Sequence, residues 1–374
     1  MNSTSRRFLI LLAAIVAAGW VASLQLRPAR SADLEAADSD DPTTPEMEAR
    51  IDAATDKALE YLASIQTPDG WWSSFGKVPA GRADRNASPR STAITSLAIL
   101  AFMAKGHQPD EEKYGVALDR GIDFIVRSQL PNGYLSGSGG RMYAHGISTV
   151  MLAEVVGQVT GKRQKLVKDA LARAVKLILD AQKIPKPPPY MGGWRYEPTS
   201  QDYDLSCTGW QLMALRAAKN AGADVPTTAI DDAVGCVKRS AHPQGGFGYG
   251  LGGSGLSPAM SGTGVLCMEL CGKHLSPEAI QAGDWILRAG VRPYATPFQY
   301  YTMYYCSQAM FQLGGHYWKQ YWPAAAEEIL KRQLPDGSFP LGQAEEAGAG
   351  PAYSTAMAVL SLGVRYRLLP IYQR

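Results

Sequence analysis

The sequence predicts an all-α protein, a closed (α/α)6 barrel built from six helical hairpins. A glycine-containing turn recurs, and before each copy lies a run with apolar residues three and four apart, the spacing of an amphipathic helix. After each copy comes a second, more apolar helix. The turns read IQTPDGWW (65–72), SQLPNGYL (128–135), AQKIPKPPPYMGGWRY (181–196), HPQGGFGYG (242–250) and RQLPDGSF (332–339).

The glycine of each turn follows Asp, Asn, Gln or Gly and supplies the positive φ that ends a helix and reverses the chain. The aromatic residue after it can cover the turn. The fifth unit, 276–315, has Val291-Arg292-Pro293-Tyr294 in place of this turn and is the weakest match.

The second helices align on a polar residue near their start, at intervals of 54, 59, 55, 43 and 49 residues. These residues are Thr95, Thr149, Thr208, Thr263, Cys306 and Thr355. Five threonines in six equivalent places indicate a repeat of about fifty residues. The second helices, such as 91–102 and 353–363, should form the inner ring, and the more charged first helices the outer ring. Because a closed ring needs no polar end caps, closure is preferred over an open solenoid.

The N-terminus has the pattern of an export signal over residues 1–32. Arg6 and Arg7 precede an apolar run from Phe8 to Val21 that is short for a spanning helix. We expect a Sec or twin-arginine signal and a periplasmic or cell-envelope protein. A retained anchor, which would bring the protein to a membrane, is the alternative. Residues 33–47 read as a disordered acidic and proline-containing linker, and 48–374 as the repeat domain.

Composition argues against a nucleic-acid partner. The chain has 37 basic and 34 acidic residues, and the excess of positive charge comes from four arginines in the first 32 residues. A neutral body offers no electrostatic attraction for nucleic acid. The five cysteines are odd in number and mostly lie in apolar helical patterns, so we expect core packing rather than disulfides.

The Gln-x-x-Asp/Asn-Gly-aromatic turns and paired helices resemble those of the prenyltransferase and squalene-cyclase repeat proteins, the terpenoid cyclase-like α/α toroids. Segments 142–157, 192–196, 204–216 and 304–315 resemble an exported bacterial branch of that superfamily. The resemblance implies a ligand cavity inside the ring, at the start of the inner helices.

The resemblance also identifies chemistry that this chain lacks. Class II terpene cyclases carry Asp-x-Asp-Asp-Thr at this helix start, and the corresponding residues here are Asp204-Leu205-Ser206-Cys207-Thr208. Ser206 occupies the proton donor's position, and a hydroxyl is too weak an acid to protonate an alkene. Protein prenyltransferases hold zinc with Asp-x-Cys and a later His, and here those positions hold Ser206 and Ser354. We therefore expect no metal and predict no cofactor.

The candidate catalytic residues are Asp204 and His145, at the starts of two inner helices. Asp204 could instead be only an N-cap, and His145 a hydrogen-bonded structural residue. The candidate ligand-binding residues are Trp194, Arg195, Tyr196, Ser206, Tyr304, Tyr305 and Tyr353. Arg195 could bind an anionic group or staple its own turn. The tyrosines could stabilise a cationic intermediate with their ring faces or pack the inner ring.

Three functions remain open. The first is an enzyme or binder whose partner is an apolar or isoprenoid-like small molecule held in the ring. The second is a non-catalytic interaction module on the same fold, and the third is a carbohydrate-active (α/α)6 enzyme. A deep apolar cavity favours the first function, a ring filled by side chains the second, and a wide polar groove the third.

Overall fold

The computed structural model describes residues 41–76, 90–136, 141–290 and 296–373. The predicted signal and most of the predicted linker lie outside these residues. The described residues form twelve α-helices: α1 Pro45–Ile65, α2 Thr92–Ala104, α3 Gly115–Ser128, α4 Arg141–Val155, α5 Gly161–Gln182, α6 Leu205–Asn220, α7 Thr227–Arg239, α8 Pro258–Leu270, α9 Pro277–Ala289, α10 Gln299–Leu313, α11 Gly315–Leu330 and α12 Gly350–Leu362.

Helix α1 begins within the stretch predicted to be linker. The Oγ1 of Thr44 accepts a hydrogen bond from the backbone N–H of Met47 at 3.2 Å, and Pro45 occupies the first turn. A hydroxyl cap followed by proline is a favourable helix start, which is why the ordered chain extends before residue 48. Among the described residues, no helix is long and apolar enough to cross a membrane.

The even-numbered helices form the inner ring, and each packs against the next. Helix α12 packs back onto α2, so the ring closes as predicted. The six aligned residues Thr95, Thr149, Thr208, Thr263, Cys306 and Thr355 are all buried. The odd-numbered helices lie outside and carry the charged surface. All five cysteines are free, and four of them are buried.

A glutamine before each of four glycine turns joins its unit to the next. The Gln66 amide donates to the Gly70 carbonyl at 3.0 Å and to the Ala117 carbonyl of α3 at 2.8 Å. The same pair of bonds is made by Gln129, Gln182 and Gln333. Gln333 donates to Ala54 of α1, so the sixth unit meets the first through the contact used elsewhere in the ring.

The turn glycines are required for two reasons. At Gly337, φ is +90°, and a Cβ would lie 2.4 Å from the Lys57 carbonyl oxygen of α1. Any larger residue would therefore be strained and would also collide with the neighbouring unit. The same close approach to the next outer helix occurs at Gly70, Gly133, Gly192 and Gly245.

The recurring threonines hold the turns to the inner helices. The hydroxyl of Thr208 accepts from the backbone N–H of Trp194 at 3.1 Å. Thr95 and Thr355 accept in the same way from Trp72 and Phe339. In the second and fourth units, His145 and Ser261 accept the equivalent N–H instead.

The C-terminal segment covers the C-terminal ends of the inner helices. The Tyr372 hydroxyl is hydrogen-bonded to that of Tyr304, and the Gln312 amide donates to the Tyr372 carbonyl at 2.8 Å. A carboxylate oxygen of Glu154 accepts from the Ile371 N–H at 3.4 Å. This segment leaves uncovered the opposite end of the ring, where the inner helices begin.

Candidate functional site

A cavity of about 750 Å³ lies inside the ring. All six inner helices line it, through Leu97, Ile147, Trp210, Met260, Tyr301 and Met357. The loops that precede the inner helices complete its wall with residues that include Tyr196, Tyr249, Phe298 and Glu346. This volume is in the range of sites that enclose small organic ligands. The cavity therefore lies at the start of the inner helices, and most of its lining is apolar or aromatic.

Asp204 caps helix α6 and is buried behind the cavity wall. Its Oδ1 accepts from the backbone N–H of Cys207 at 2.7 Å and from the Ser206 hydroxyl at 2.6 Å. The Tyr143 hydroxyl lies 2.5 Å from the Ser206 Oγ. Because Ser206 gives its proton to the carboxylate, Tyr143 is the donor to Ser206. A chain of three polar groups thus connects the buried acid to the cavity, which Ser206 and Tyr143 line.

The electrostatic environment of Asp204 opposes its ionisation. Burial raises the pKa of this carboxyl, and the bonds from Cys207 and Ser206 and the charge of Arg195 oppose that rise. The Arg195 Nε lies 4.0 Å from Asp204 Oδ2, while its NH1 lies 3.0 Å from Asp202. Of the two roles considered for Arg195, these contacts with carboxylates fit the stapling of its turn, and Arg195 is not part of the cavity lining.

Glu346 is a cavity-lining acid that the sequence analysis did not identify. One carboxylate oxygen accepts from the Tyr301 N–H and the Tyr353 hydroxyl, both at 2.9 Å, and the other from the Tyr300 N–H at 3.1 Å. The residue that precedes α10, Phe298, makes no side-chain cap bond to it. Glu346, in the loop between α11 and α12, caps α10 instead. Burial raises the pKa of the Glu346 carboxyl. The apolar N-terminus of α10 was the signal that an external acceptor was needed.

His145 has a structural position. Its Nδ1 accepts from the Leu135 N–H at 3.2 Å, and its Nε2 donates to the Ala174 carbonyl at 3.1 Å. The residue is fully buried, does not line the cavity, and burial lowers its pKa to about 4. With both ring nitrogens bonded to backbone groups, it has no free atom for a ligand, which corrects the expectation that it could act at the site.

Three of the predicted ligand-binding residues line the cavity: Tyr196, Ser206 and Tyr353. Trp194 does not, because its indole N–H donates to the Ile178 carbonyl at 2.9 Å inside the turn.

Tyr304 and Tyr305 lie behind the cavity wall rather than in it. Tyr304 stacks on Trp210 with ring centroids 5.8 Å apart, and Tyr305 meets Trp210 edge-on at 5.6 Å. The lining position on α10 belongs to Tyr301, one helical turn nearer its start. Tyr143, Trp210 and Tyr249 also line the cavity but were not predicted as site residues. Tyr143 and Trp210 belong to segments quoted for their resemblance, and Tyr249 belongs to the fourth glycine turn.

Within the described ranges, no three His, Cys, Asp or Glu side chains are arranged to hold a metal ion. The expectation that the protein carries no zinc near Asp204 stays a prediction for elemental analysis.

Comparison with known proteins places the fold. No protein-family model matches the chain. Drimenyl diphosphate synthase from Streptomyces showdoensis is 23% identical over 194 residues, which are 52% of this chain and 32% of that enzyme. The match therefore spans about a third of the length of this relative.

Two solved structures are similar over most of the chain. The type II terpene cyclase MstE from Scytonema, bound to merosterolic acid A, superposes with a TM-score of 0.52 and 15% identity, over 87% of this chain and 99% of that one. An α-1,6-mannanase of Salegentibacter has a TM-score of 0.58 and 10% identity, over 83% and 99%. The chain is thus a terpene cyclase-like α/α toroid in its fold, and drimenyl diphosphate synthase is a distant homologue. The mannanase has the same (α/α)6 architecture.

Proposed function

We propose that this protein binds an isoprenoid-like or similar apolar small molecule in the central cavity of the ring. The observation that carries the proposal is the cavity itself, about 750 Å³ in volume and walled by apolar and aromatic side chains from every inner helix. Burying hydrocarbon surface stabilises a complex by about 25 cal/mol per Å². A long apolar chain enclosed by such a wall can therefore bind with substantial affinity.

The known relatives support this ligand class. The distant homologue is named for a drimenyl diphosphate product, and MstE has been solved with geranylgeranyl dihydroxybenzoate as its substrate. Ring faces of Tyr143 and Tyr196, with centroids 6.0 Å apart, present π surfaces near the start of the inner helices. Such surfaces pack well against the double bonds and methyl groups of an isoprenoid chain.

The two alternative functions are less well supported. A pure interaction module requires no internal cavity, and the described inner helices leave one. A glycan-cleaving enzyme of the usual kind needs two carboxyl groups free to act on either side of the scissile bond. Here both oxygens of Glu346 hold the first turn of α10, and Asp204 reaches the cavity only through Ser206. Glu345 also lines the cavity, but it is a single exposed carboxyl directly next to Glu346 in the chain and not one of a flanking pair.

Ligand binding is proposed without protonation-initiated cyclisation. The side chain at the cyclase donor position is the Ser206 hydroxyl, which already donates to Asp204. That hydroxyl cannot supply a proton to an alkene as a strong acid can. Asp204 would then serve to fix the orientation of Ser206 and Tyr143 at the wall of the ligand site.

We also propose that residues 1–32 direct the protein to the cell envelope, as Arg6, Arg7 and the apolar run after them predict. Fractionation of cells that express the full chain, or the chain without these residues, tests this. Retention of both forms in the cytoplasm would contradict it.

The test of ligand binding is to fill the cavity. Ala259 lies in the first turn of α8 and lines the cavity, so Ala259→Trp should occupy ligand space. Ala172→Trp adds the same side chain on the exposed face of outer helix α5 and is the matched control. Native mass spectrometry of protein from its own host, with titration by a fluorescent prenyl probe, should show one bound molecule in the wild type and in the control.

Ala259→Trp should lose the bound molecule while its circular dichroism and melting curve still show a folded protein. No ligand and no probe binding in the wild type would overturn the proposal, as would unchanged probe affinity in a folded Ala259→Trp variant.

A further inference from the structure

Helix α5 carries a positive charge that sets it apart from the other outer helices. Its 22 residues include six basic and two acidic side chains, a net charge of +4. The five other outer helices, α1, α3, α7, α9 and α11, have net charges between −3 and 0 when histidine is taken as neutral. Among these six helices, positive charge is therefore concentrated on α5.

A groove of about 1090 Å³ runs along this helix, between α5 and the loop of residues 221–224 that joins α6 to α7. Four lysines line it: Lys165, Lys168, Lys176 and Lys183. Successive residues of a helix are rotated by about 100°, so these four lie within about 80° of one another and form one row. From Lys165 to Lys183 the row is about 27 Å long.

The surface between the lysines and the loop is apolar and open. Val156 and Leu179 are half-buried, and Ala172 is exposed. At Gly222 in the loop, a Cβ would have no atom within 4 Å, so the loop leaves this side of the groove open. The loop side carries one acid, Asp224. The groove therefore offers accessible hydrocarbon surface beside a row of positive charge.

Three of the four lysines have no acidic partner within the described part of the chain. Lys176 pairs with Asp180 at 2.5 Å. Lys165, Lys168 and Lys183 are exposed, and none has a carboxylate within ion-pair distance among the residues that the structure describes. A partner with carboxylates along this row would meet positive charge that the protein does not itself compensate. Such complementary charge speeds association and selects the partner.

The shape of this surface favours a rod-like partner over a flat one. Proteins that lie on a bilayer insert apolar side chains that project from a helix face. Here Val156 and Leu179 lie inside a groove, with the lysines along its edge. We propose that the groove binds an amphipathic α-helix of a partner protein, with its apolar stripe on Val156, Ala172 and Leu179 and its acidic side chains against the α5 lysines. This inference is independent of the ligand inside the ring.

A synthetic helix serves as the probe. It is a fluorescein-labelled peptide of about 18 residues, the length of the lysine row, with leucines three and four apart and glutamates on both sides of the leucine stripe. Its affinity for the full chain is measured by fluorescence anisotropy at about 0.15 M ionic strength. One control peptide has lysine in place of glutamate, and another has the same composition without the helical period. We expect saturable binding of the acidic amphipathic peptide only.

Two pairs of matched variants locate the binding. Ala172→Trp fills the groove, whereas Ala259→Trp places the same side chain in the ring cavity. Lys168→Glu reverses a charge that lines the groove, whereas Lys162→Glu reverses an exposed charge of the same helix outside the lining. We expect Ala172→Trp to abolish peptide binding and Lys168→Glu to weaken it about fivefold. Ala259→Trp and Lys162→Glu should stay within about twofold of the wild type, because salt screens exposed charges that do not touch the peptide.

Circular dichroism establishes that each variant is folded, and Lys168→Glu provides the test if Ala172→Trp does not fold. Equal binding of the three peptides, or equal effects of Lys168→Glu and Lys162→Glu, would overturn the inference. Absence of saturable peptide binding would overturn it as well, and binding to phosphatidylglycerol vesicles that falls in Lys168→Glu would then assign this face to a membrane. Binding of the prenyl probe, measured on the same proteins, reports separately on the proposed function.

Discussion

Replacing Glu154 by glutamine should make the folded protein more stable in mildly alkaline solution. Glu154 lies on α4, is 4% exposed, and accepts one long bond of 3.4 Å from the Ile371 N–H. Burial raises the pKa of its carboxyl from 4.5 to about 8. The Glu154 side chain does not line the cavity, so its ionisation should lower the stability of the fold without changing contacts to a ligand.

The sign follows from proton binding. Above pH 4.5 the unfolded chain has lost this proton, while the folded chain retains it until about pH 8. The folded state therefore binds more protons, and the free energy of unfolding falls as pH rises through this window. One pKa unit corresponds to about 1.4 kcal/mol, so the loss between pH 5 and pH 8 amounts to roughly 3 to 4 kcal/mol.

Glutamine has nearly the same shape and can accept from Ile371, but it does not ionise. Urea unfolding at pH 5 and pH 8 should show a pH-dependent loss that is smaller in Glu154→Gln than in the wild type by roughly 3 to 4 kcal/mol. Glu269→Gln is the control, because this buried acid on α8 accepts from His274 at 2.9 Å and from the Leu275 N–H at 3.1 Å. The control should gain no stability at pH 8. Parallel pH profiles for Glu154→Gln and wild type would refute the reasoning.

Three further outcomes can be measured by thermal unfolding. The amide of Gln308 is buried and has no partner among the described residues, so Gln308→Met should raise the melting temperature by about 2 °C. Gln333→Met is the control and should lower the melting temperature, because it removes the hydrogen bonds to Ala54 of α1 and to Gly337 of its own turn. Gly337→Ala should destabilise by more than about 1 kcal/mol, since φ is +90° and Lys57 blocks the added carbon; an unchanged melting curve would contradict the close packing of the first and sixth units. Asp204→Asn should shift the melting temperature by no more than about 4 °C, because asparagine also caps helices. The same variant should bind the prenyl probe more weakly than the wild type. An unchanged affinity for the probe would mean that Asp204 acts only as a helix cap.

Much of the architecture is encoded locally. Each glycine turn needs a positive φ that other residues rarely adopt, and each helix carries its own apolar period, so the six hairpins and their inner and outer members follow from short stretches of chain. The recurring threonines, such as Thr208, marked the register of the inner helices in the sequence. Why a hydroxyl is needed there is visible only in three dimensions, where the Thr208 hydroxyl accepts a hydrogen bond from the Trp194 N–H. The capping role of Asp204 was likewise among the sequence-based alternatives.

The composition of the cavity wall depends on contacts between distant units. Tyr301, Tyr304 and Tyr305 share one face of α10, because residues three and four apart on a helix are neighbours. Depth along the helix therefore decides their roles: Tyr301 lines the cavity near the start of α10, whereas Tyr304 and Tyr305 pack on Trp210 one turn further in. His145 does not contribute to the cavity, because both of its ring nitrogens form hydrogen bonds with the backbone of Leu135 and Ala174, outside its own helix.

By itself, the sequence determined the repeat, the alternation of charged outer helices with apolar inner helices, and the closed ring. It could do so because turn residues and helical periodicity act over only a few residues. Only the tertiary structure decided which acid serves which helix: Glu346 caps α10 from a position 46 residues further along the chain. It also decided that the C-terminal segment covers one end of the ring and that Trp210 and Tyr301 take part in the cavity wall. These features arise where segments distant in the chain pack together. The free-energy cost of a buried polar group there depends on whether a neighbouring segment supplies a hydrogen-bond partner.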